Sequence, residues 1–522
     1  MSDDSRPLSE KSRQELLDEI YLLRDVAGER GQQVQERDQL ISERDEALAS
    51  LQCQLELILR SRSWRMTAPL RWVLRRMGRV RGMTAEAAFA EVPPAAEMRR
   101  SESPRDSDST SSRFMAPIPA EDRSDGKPRL YVDITELALR EGRTGVQRVT
   151  REILRALLDA PTGYQVQAVY APLGQPYRLA NSFTSKLHDD SGQLSPDASM
   201  VVQSGDVFLG LDHSMHTTAE HAADLANLRA RGMRIWFVCN DVLPLSHPEW
   251  FPPEVHVAFK AWLEIIAHVA DGVACISLAT QSELRQQLSR LDVPRDKPLA
   301  LAHFYLGADL AADRDNAATV PPEQASLIER LRKVNSFLMV GTLEPRKGHA
   351  QALQAFESLW AGGSEVVLVI AGFPGWMTDV LARRIRHHDE LGKRLFWFMG
   401  PDDAVLDRLY ATCTVLLAPS EGEGFGLPLV EAARHGLPIL CRDLPVFREV
   451  AGEHATYFSG HDSVSLAAAI RDWLAAHQHG TTPRSVEMPR LTWAQSAQQL
   501  LGAVLADGTV EIEQPSTRKS GK

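Results

Sequence analysis

The stretch PSEGEGFGLPLVEAARHGLPIL, residues 419–440, holds the densest chemical signal in the chain. An apolar strand candidate at 414–418 precedes it. Gly424 and Gly426 then lead into a helix with Pro428 in its first turn, where proline is favoured. Glycine lets the backbone approach a ligand closely, and a helix N-terminus offers unpaired N–H groups with a partial positive charge. This arrangement predicts a phosphate site.

Two glutamates in the same stretch refine this prediction. Glu423 and Glu431 would repel a bare phosphate, but carboxylates accept hydrogen bonds from hydroxyl groups. The stretch therefore favours a ligand that contains both phosphate and polyol parts. The alternative is an ordinary strand–turn–helix connection with acidic residues on its surface.

A second motif, MVGTLEPRKGHAQALQAF at 339–356, carries two adjacent cations. A strand candidate ends at Gly341, and Arg346 and Lys347 lie at the start of the following helix. Alone, such a pair is usually solvated surface. At the carboxyl end of a parallel strand, and paired with the segment 423–431, it is typical of an anion site.

Strand and helix candidates alternate from residue 129 onward. The strand candidates are 129–134, 165–170, 206–211, 234–239, 272–276 and 299–304, then 336–341, 365–371, 395–399, 414–418 and 437–441. Many are continuous apolar runs, which suit parallel sheets covered by helices on both faces. A polar, proline-containing boundary near 311–326 separates the two sets. The fold class predicted is α/β, with two doubly wound Rossmann-like domains whose ligands bind at the carboxyl ends of the strands.

Composition bounds the functional class. The 522 residues are 43% hydrophobic and 24% charged, an ordinary globular mixture, and the net charge of -11 argues against a nucleic-acid partner. Five scattered cysteines without a CxxC pair predict neither a disulfide framework nor a zinc site. We find no signal-type apolar region at the N-terminus and no apolar run of about 18 residues, so we expect a cytoplasmic protein.

The first 128 residues differ from the rest in pattern. Residues 1–60 carry heptad-spaced apolar positions, which predict a coiled coil that self-associates or holds a partner. Arginines at some core positions weaken the pattern, and a solvated single helix is the alternative. Residues 84–128 are rich in Ser, Pro, Asp and Arg and predict a disordered linker, as 508–522 predict a disordered tail.

Between them lies a basic amphipathic segment, 61–83. Residues 60–81 contain eight arginines and no acidic residue, and they predict peripheral binding to an anionic membrane surface. Docking on an acidic protein face is the alternative, and nucleic-acid binding is a weaker third.

Residues 129–507 resemble the retaining glycosyltransferases of the GT-B fold, family 4 type, in the GTLEPRK subgroup. The resemblance rests on Glu423-x7-Glu431 within EGFGLPLVE, on GTLEPRKG, and on LGADL at 306–310, GPDDAVLDRLYATCTVLLAPS at 400–420 and LTWAQSAQQLL at 491–501. It implies an N-terminal acceptor domain at 129–315, a donor-binding domain at 316–490 and a crossover helix at 491–507.

The resemblance also implies roles for individual residues. Arg346, Lys347 and Glu423 would be catalytic, the two cations binding the donor diphosphate and Glu423 hydrogen-bonding the transferred sugar. Glu431 would hold the ribose hydroxyls. The further donor-side residues are Gly424, Phe425, Gly426, Leu427 and Thr342, with Gly400 to Asp402 flanking the base. Many relatives have arginine where this chain has Thr342.

On the acceptor side the resemblance implicates Gly145, Asn240, Asp241 and Ser277. Relatives carry a His-Asp pair where this chain has Asn240 and Asp241, which puts any histidine role there in doubt. His247 is a possible replacement, although a loop histidine is more often without a special role.

The implied function is transfer of a hexosyl unit, with mannose from GDP-mannose as the leading candidate, to a saccharide or lipid-linked acceptor of a bacterial surface polysaccharide such as an O-antigen. The transfer would retain the anomeric configuration and use no cofactor and no metal ion, at the inner face of the cell membrane. The rival hypothesis is a catalytically inactive GT-B scaffold in a polysaccharide assembly. A dinucleotide-dependent oxidoreductase is disfavoured because GxGxxG follows the first strand of neither domain.

Overall fold

The computed structural model describes residues 126–140, 144–172, 174–188, 196–291, 293, 295, 297–309 and 321–505. These residues all lie within one compact unit of the chain. The coiled coil predicted at 1–60, the basic segment at 61–83, nearly all of the linker at 84–128 and the tail at 508–522 fall outside the described residues.

The first domain is built on a sheet in which the described residues form seven strands, in the order β3-β2-β1-β4-β5-β6-β7. All neighbours are parallel except β2 and β3. The strands are β1 (Arg129–Asp133), β2 (Gln165–Tyr170), β3 (Arg178–Leu179), β4 (Val207–Gly210), β5 (Arg234–Cys239), β6 (Gly272–Cys275) and β7 (Ala300–His303).

Helices cover both faces of this sheet. They are α1 (Thr135–Leu139), α2 (Gly145–Asp159), α3 (Asn181–His188), α4 (Met215–Glu220), α5 (Ala222–Ala230), α6 (Leu243–Ser246), α7 (Pro253–Val269) and α8 (Leu278–Leu288). Helix α2 shows why these sequences form helices. Its apolar residues recur every three or four positions and bury one face, and the Thr144 hydroxyl caps its start by accepting the Gln147 N–H at 3.3 Å.

The second sheet is parallel throughout the described residues, with strand order β10-β9-β8-β11-β12-β13. Its strands are β8 (Ser336–Val340), β9 (Val367–Ala371), β10 (Leu395–Phe398), β11 (Val415–Ala418), β12 (Ile439–Arg442) and β13 (Thr456–Phe458). The helices around it are α9 (Pro322–Leu331), α10 (His349–Ala361), α11 (Asp379–Arg386), α12 (Asp403–Thr412), α13 (Leu427–Arg434), α14 (Pro445–Ala451) and α15 (Ser463–Gln478).

The last described helix, α16 (Trp493–Leu505), returns to the first domain and packs on α2. The turn before the interdomain linker meets its start. Gly307 pairs with Leu491, and a side chain on Gly307 would place its Cβ 2.5 Å from the Trp493 nitrogen. The Trp493 N–H donates to Asp309 Oδ1 at 2.6 Å, so the chain crossing is fixed by hydrogen bonds.

The prediction of two parallel sheets flanked by helices is confirmed. Continuous apolar runs such as β4 and β9 are buried along their whole length, as expected of strands covered on both faces. Strands β3 and β13, which have only two and three residues, were not predicted from the sequence. Within the part of the chain that the structure describes, no helix has the length and apolarity needed to cross a bilayer.

Candidate active site

The loop that follows β8 places two cations at the carboxyl edge of the second sheet. A short 3₁₀ helix, Pro345–Lys347, ends at Gly348, whose φ of 72° is left-handed. A side chain at Gly348 would put its Cβ 2.4 Å from the carbonyl oxygen of Pro419, which follows β11. Glycine is therefore required here on two grounds, backbone conformation and space. The close approach brings the β8 and β11 loops together.

Arg346, Lys347 and Glu423 form an ion cluster between these two loops. Lys347 Nζ donates to Glu423 Oε1 at 2.7 Å, and Arg346 Nη1 donates to Glu423 Oε2 at 3.1 Å. Arg346 Nη1 also donates to the Gly422 carbonyl oxygen at 3.0 Å. The structure thus brings together the three residues predicted to be catalytic, with one carboxylate shared by two cations.

The charges in this cluster respond to burial and to each other. Burial by itself would raise the pKa of Glu423, but Lys347 and Arg346 outweigh that effect and hold the pKa at about 2. Burial would likewise lower the pKa of Arg346, yet Glu423 and Glu344 raise it above its usual value. Glu423 and Arg346 are therefore both charged at neutral pH.

Glu344 is a fourth member that the sequence analysis did not single out. Its Oε2 lies 2.8 Å from Arg346 Nε, although their orientation makes this an ion pair rather than a hydrogen bond. Burial raises the pKa of Glu344, and Arg346 and Lys347 only partly oppose that rise. Proximity to Arg346 in sequence was the available signal, since Glu344 stands two residues before it.

The glycine-rich segment after Glu423 lies against the first domain. A side chain at Gly424 would put its Cβ 1.9 Å from the Asn240 carbonyl oxygen. The Gly424 carbonyl oxygen accepts hydrogen bonds from the Ser277 hydroxyl at 2.7 Å and the Thr280 hydroxyl at 3.0 Å. Ser277, predicted to approach the acceptor side, is fully buried and holds the donor loop in place.

Helix α13 begins at the next residues. Gly426 is its N-cap with a left-handed φ of 97°, and the Phe447 ring would lie 2.7 Å from a Cβ there. Phe425 is buried, and Leu427 is the first helical residue. The predicted glycine-rich entry to a helix therefore exists at the carboxyl edge of β11, beside Glu423.

Glu431, predicted to bind ribose, is almost completely buried and has a partner for each oxygen. Arg148 Nη1 of the first domain donates to Oε1 at 2.6 Å, and the Tyr410 hydroxyl donates to Oε2 at 2.6 Å. Neither partner was predicted from the sequence. Arg148 lies three residues after Gly145, but nothing in one sequence shows that it reaches a residue 283 positions away.

Two further charged residues of the second domain fix backbone groups near the site. Arg442, at the end of β12, is buried and donates from Nε to the Ser420 carbonyl oxygen at 3.0 Å and from Nη2 to the Pro419 carbonyl oxygen at 3.0 Å. Glu449 caps α8 of the first domain. Its carboxylate accepts the N–H groups of Leu278 and Ala279 at 2.6 and 2.8 Å.

The predicted base side has exposed apolar groups. The Phe373 ring covers Gly400, where a Cβ would lie 1.9 Å from the ring. Phe373 and Met399 are 42% and 53% exposed at the carboxyl ends of β9 and β10. Asp402 caps α12 by accepting the Val405 N–H at 2.8 Å, and half-buried Thr342 lies just after β8.

The other residues predicted for the acceptor side do not take part in the hydrogen bonds of the ion cluster described above. Gly145 is the exposed first residue of α2. Asp241 Oδ1 accepts the Leu243 N–H at 3.1 Å, and its charge contributes to raising the pKa of Arg346. His247 stacks on Trp250 with ring centroids 3.9 Å apart. Among the described residues no group of three or more His, Cys, Asp or Glu side chains could hold a metal ion.

Two Rossmann-like domains, joined by a returning C-terminal helix and meeting at the glutamate and cation loops, define the GT-B class of glycosyltransferase fold. Residues 325–482 match the family described as "Glycosyl transferases group 1".

Curated relatives extend beyond this segment. The chain is 40% identical over 376 residues to "Serotype-specific mannosyltransferase WbdA" of Escherichia coli, covering 72% of this chain and 46% of the relative. It is 28% identical over 239 residues to "O-antigen chain mannosyltransferase B" of Escherichia coli, covering 44% of this chain and 58% of the relative. The chain spans about half the length of the WbdA relatives it matches.

A solved structure described as Anabaena Alr3699/HepE in complex with UDP-glucose aligns with a TM-score of 0.46 at 16% identity. The alignment covers 72% of this chain and 95% of that chain.

Proposed function

We propose that this protein transfers a hexosyl unit to a saccharide acceptor of a bacterial surface polysaccharide. The leading donor candidate is GDP-mannose, which supplies mannose. The anomeric configuration of the sugar is retained. The family match at 325–482 and the 40% identity to a mannosyltransferase support the reaction class and the sugar.

The ion cluster of Arg346, Lys347 and Glu423 is the observation that carries this proposal. Two cations lie side by side at the carboxyl edge of a parallel sheet, both largely buried, where a donor diphosphate would gain charge-assisted hydrogen bonds. A carboxylate ionised down to a pH of about 2 lies between them and accepts hydrogen bonds from sugar hydroxyls. The cluster thus offers phosphate and sugar contacts next to each other.

The proposed chemistry uses these charges directly. The bond between the sugar C1 and the diphosphate oxygen breaks, and a bond from C1 to the acceptor hydroxyl oxygen forms on the same face. Arg346 and Lys347 neutralise the negative charge that develops on the leaving diphosphate. The acceptor proton moves to a diphosphate oxygen, so atoms and charge balance without a protein nucleophile.

The nucleoside is held further along the same edge. Glu431 accepts hydrogen bonds from the ribose hydroxyls, and the exposed ring of Phe373 with the side chain of Met399 offers an apolar surface for the base beside Gly400. In this proposal the cations take the place of a divalent ion, and transfer measured in EDTA tests that point.

The acceptor binds against the first domain. The N-terminal segments bring the enzyme to the membrane and to its partners. Residues 60–81 bind an anionic membrane surface at the cytoplasmic face, and residues 1–60 mediate self-association or partner binding.

A donor screen tests the proposal. The purified chain is incubated with GDP-mannose and other nucleotide sugars and a mannose oligosaccharide, and products are followed by mass spectrometry and by the anomeric NMR signal. We expect one added hexose with the donor's anomeric configuration. A chain that neither binds nucleotides nor hydrolyses or transfers any nucleotide sugar would be the inactive scaffold instead.

A further inference from the structure

The contact between Arg148 and Glu431 joins the two domains at the proposed ribose site. Arg148 lies in the first turn of α2 in the first domain, and Glu431 lies in α13 of the second. Their atoms Nη1 and Oε1 are 2.6 Å apart. The side chain of Glu431 is 4% exposed and that of Arg148 is 23% exposed, so this ion pair is mostly shielded from solvent.

The Glu431 carboxylate has the hydrogen-bonding capacity for both the arginine and a diol. Each carboxylate oxygen can accept two hydrogen bonds. Oε1 receives one from Arg148 and Oε2 receives one from Tyr410, so each oxygen keeps one accepting position. A ribose presents its 2′- and 3′-hydroxyl groups as neighbouring donors, one for each remaining position.

The charge balance shows why the arginine matters. A buried carboxylate without a cation is unfavourable, and it responds by turning towards water. That response removes an acceptor from the site. Tyr410 is a neutral donor, so among the hydrogen-bond partners of Glu431 in the described residues Arg148 alone supplies the compensating charge.

We propose that Arg148 is a positioning residue for nucleotide recognition, which holds the Glu431 carboxylate in place for the ribose hydroxyls from across the domain boundary. This inference rests on the proposed function, because it takes Glu431 as the ribose ligand. The ribose site is then completed by a residue of the acceptor domain, although its carboxylate belongs to the donor domain.

The test compares ribose with deoxyribose in the full chain. GDP and 2′-deoxy-GDP, or UDP and 2′-deoxy-UDP if the donor screen selects uridine, are titrated calorimetrically into wild type, Arg148→Met and Arg155→Met. Arg155 is the matched control, because it lies on the same helix and pairs with Glu152 at 3.1 Å. Arg148→Gln, which keeps a donor without the charge, is the second variant if Arg148→Met does not fold.

We expect Arg148→Met to weaken binding of the ribonucleotide about tenfold and that of the deoxynucleotide by much less, so that the preference for ribose shrinks. Arg155→Met should bind like wild type. An equal loss for both nucleotides would mean a merely structural role, and unchanged or tighter binding would mean that Arg148 does not assist the site; each result overturns the inference while the proposed function stands. If wild type binds no nucleoside diphosphate, the proposed function fails and the inference with it.

Discussion

The donor-side ion cluster and the contacts across the domain boundary rely on different kinds of interaction. The cluster joins Arg346 and Lys347 to Glu423 by charge, within one domain. The boundary contacts include a helix cap from Glu449, the buried Ser277 hydroxyl on the Gly424 carbonyl oxygen, and the ion pair of Arg148 with Glu431.

The residues proposed to act on the substrate are therefore different from those that position the loops carrying them. The groups that would meet diphosphate and sugar belong to the second domain. The first domain contacts the same loops from outside, through Asn240 against Gly424 and Ser277 against its carbonyl oxygen. Changes in the cluster should therefore affect diphosphate binding and turnover, whereas changes at the boundary should affect the ribose site through Arg148 or the stability of the fold through Glu449.

The largest effect should follow removal of a cation from the cluster. Lys347→Ala deletes a charge-assisted hydrogen bond worth roughly 1.5–3 kcal/mol, so turnover should fall about ten- to over a hundredfold. Steady-state transfer assays measure this, with exposed Lys333→Ala as the control. Turnover equal to wild type would break the comparison, because the cluster would then not contact the diphosphate.

The two glutamates of the motif should separate sugar from ribose. Glu431→Ala should weaken binding of the free nucleoside diphosphate about tenfold, because hydrogen bonds from ribose to a charged acceptor are lost. Glu423→Ala should mostly spare it, since that change leaves Lys347 and Arg346 free for the diphosphate. Calorimetric titration of both variants measures the difference, and equal losses would contradict the assignment.

Buried carboxylates in the two domains should respond to pH in opposite directions. Burial raises the pKa of Asp133 in the first domain to about 7, whereas two cations hold that of Glu423 at about 2. A raised folded-state pKa means that the folded chain binds the proton more tightly, so the free energy of unfolding should fall as pH rises from about 4 to about 7. The contribution of Glu423 is instead present above pH of about 4.5 and lost towards about 2.

Asp133→Asn isolates the first of these effects. Denaturant unfolding should show a smaller loss of stability between pH of about 5 and about 8 in this variant than in wild type. Exposed Asp159→Asn serves as the control. An unchanged pH dependence in Asp133→Asn would show that this carboxyl does not titrate in that window.

The smallest effect should come from the cap across the boundary. Glu449→Ala leaves two N–H groups of α8 without their acceptor, so the free energy of unfolding should fall by about 1 kcal/mol. Nucleotide titrations should change little. Exposed Glu453→Ala is the matched control. Equal stabilities of the two variants would show that the Glu449 cap does not stabilise the fold.

The sequence predicted most of the fold because most of its strands are continuous apolar runs that alternate with helices. The misses were β3 and β13, too short to show a pattern of their own. The ion cluster could be predicted because each partner lies in a quoted motif at a strand end, and parallel strands bring their carboxyl ends to one edge.

The boundary contacts could not be predicted for a physical reason. Arg148 and Glu431, or Ser277 and Gly424, lie far apart in the chain, and they meet only through the placement of one domain on the other. Local pattern determines helices and strands but contains no information about that placement. The sequence therefore singled out neither Arg148 nor its contact with Glu431.

The most direct measurement of the central claim is the ratio of the dissociation constants for GMP and GDP in wild type and in Lys347→Ala, or for UMP and UDP if the donor screen selects uridine. If the cluster binds the diphosphate, wild type should bind the diphosphate at least about tenfold more tightly than the monophosphate, and Lys347→Ala should lose most of that preference. A variant that keeps the wild-type ratio would contradict the account, because the preference for a second phosphate would then come from elsewhere in the protein.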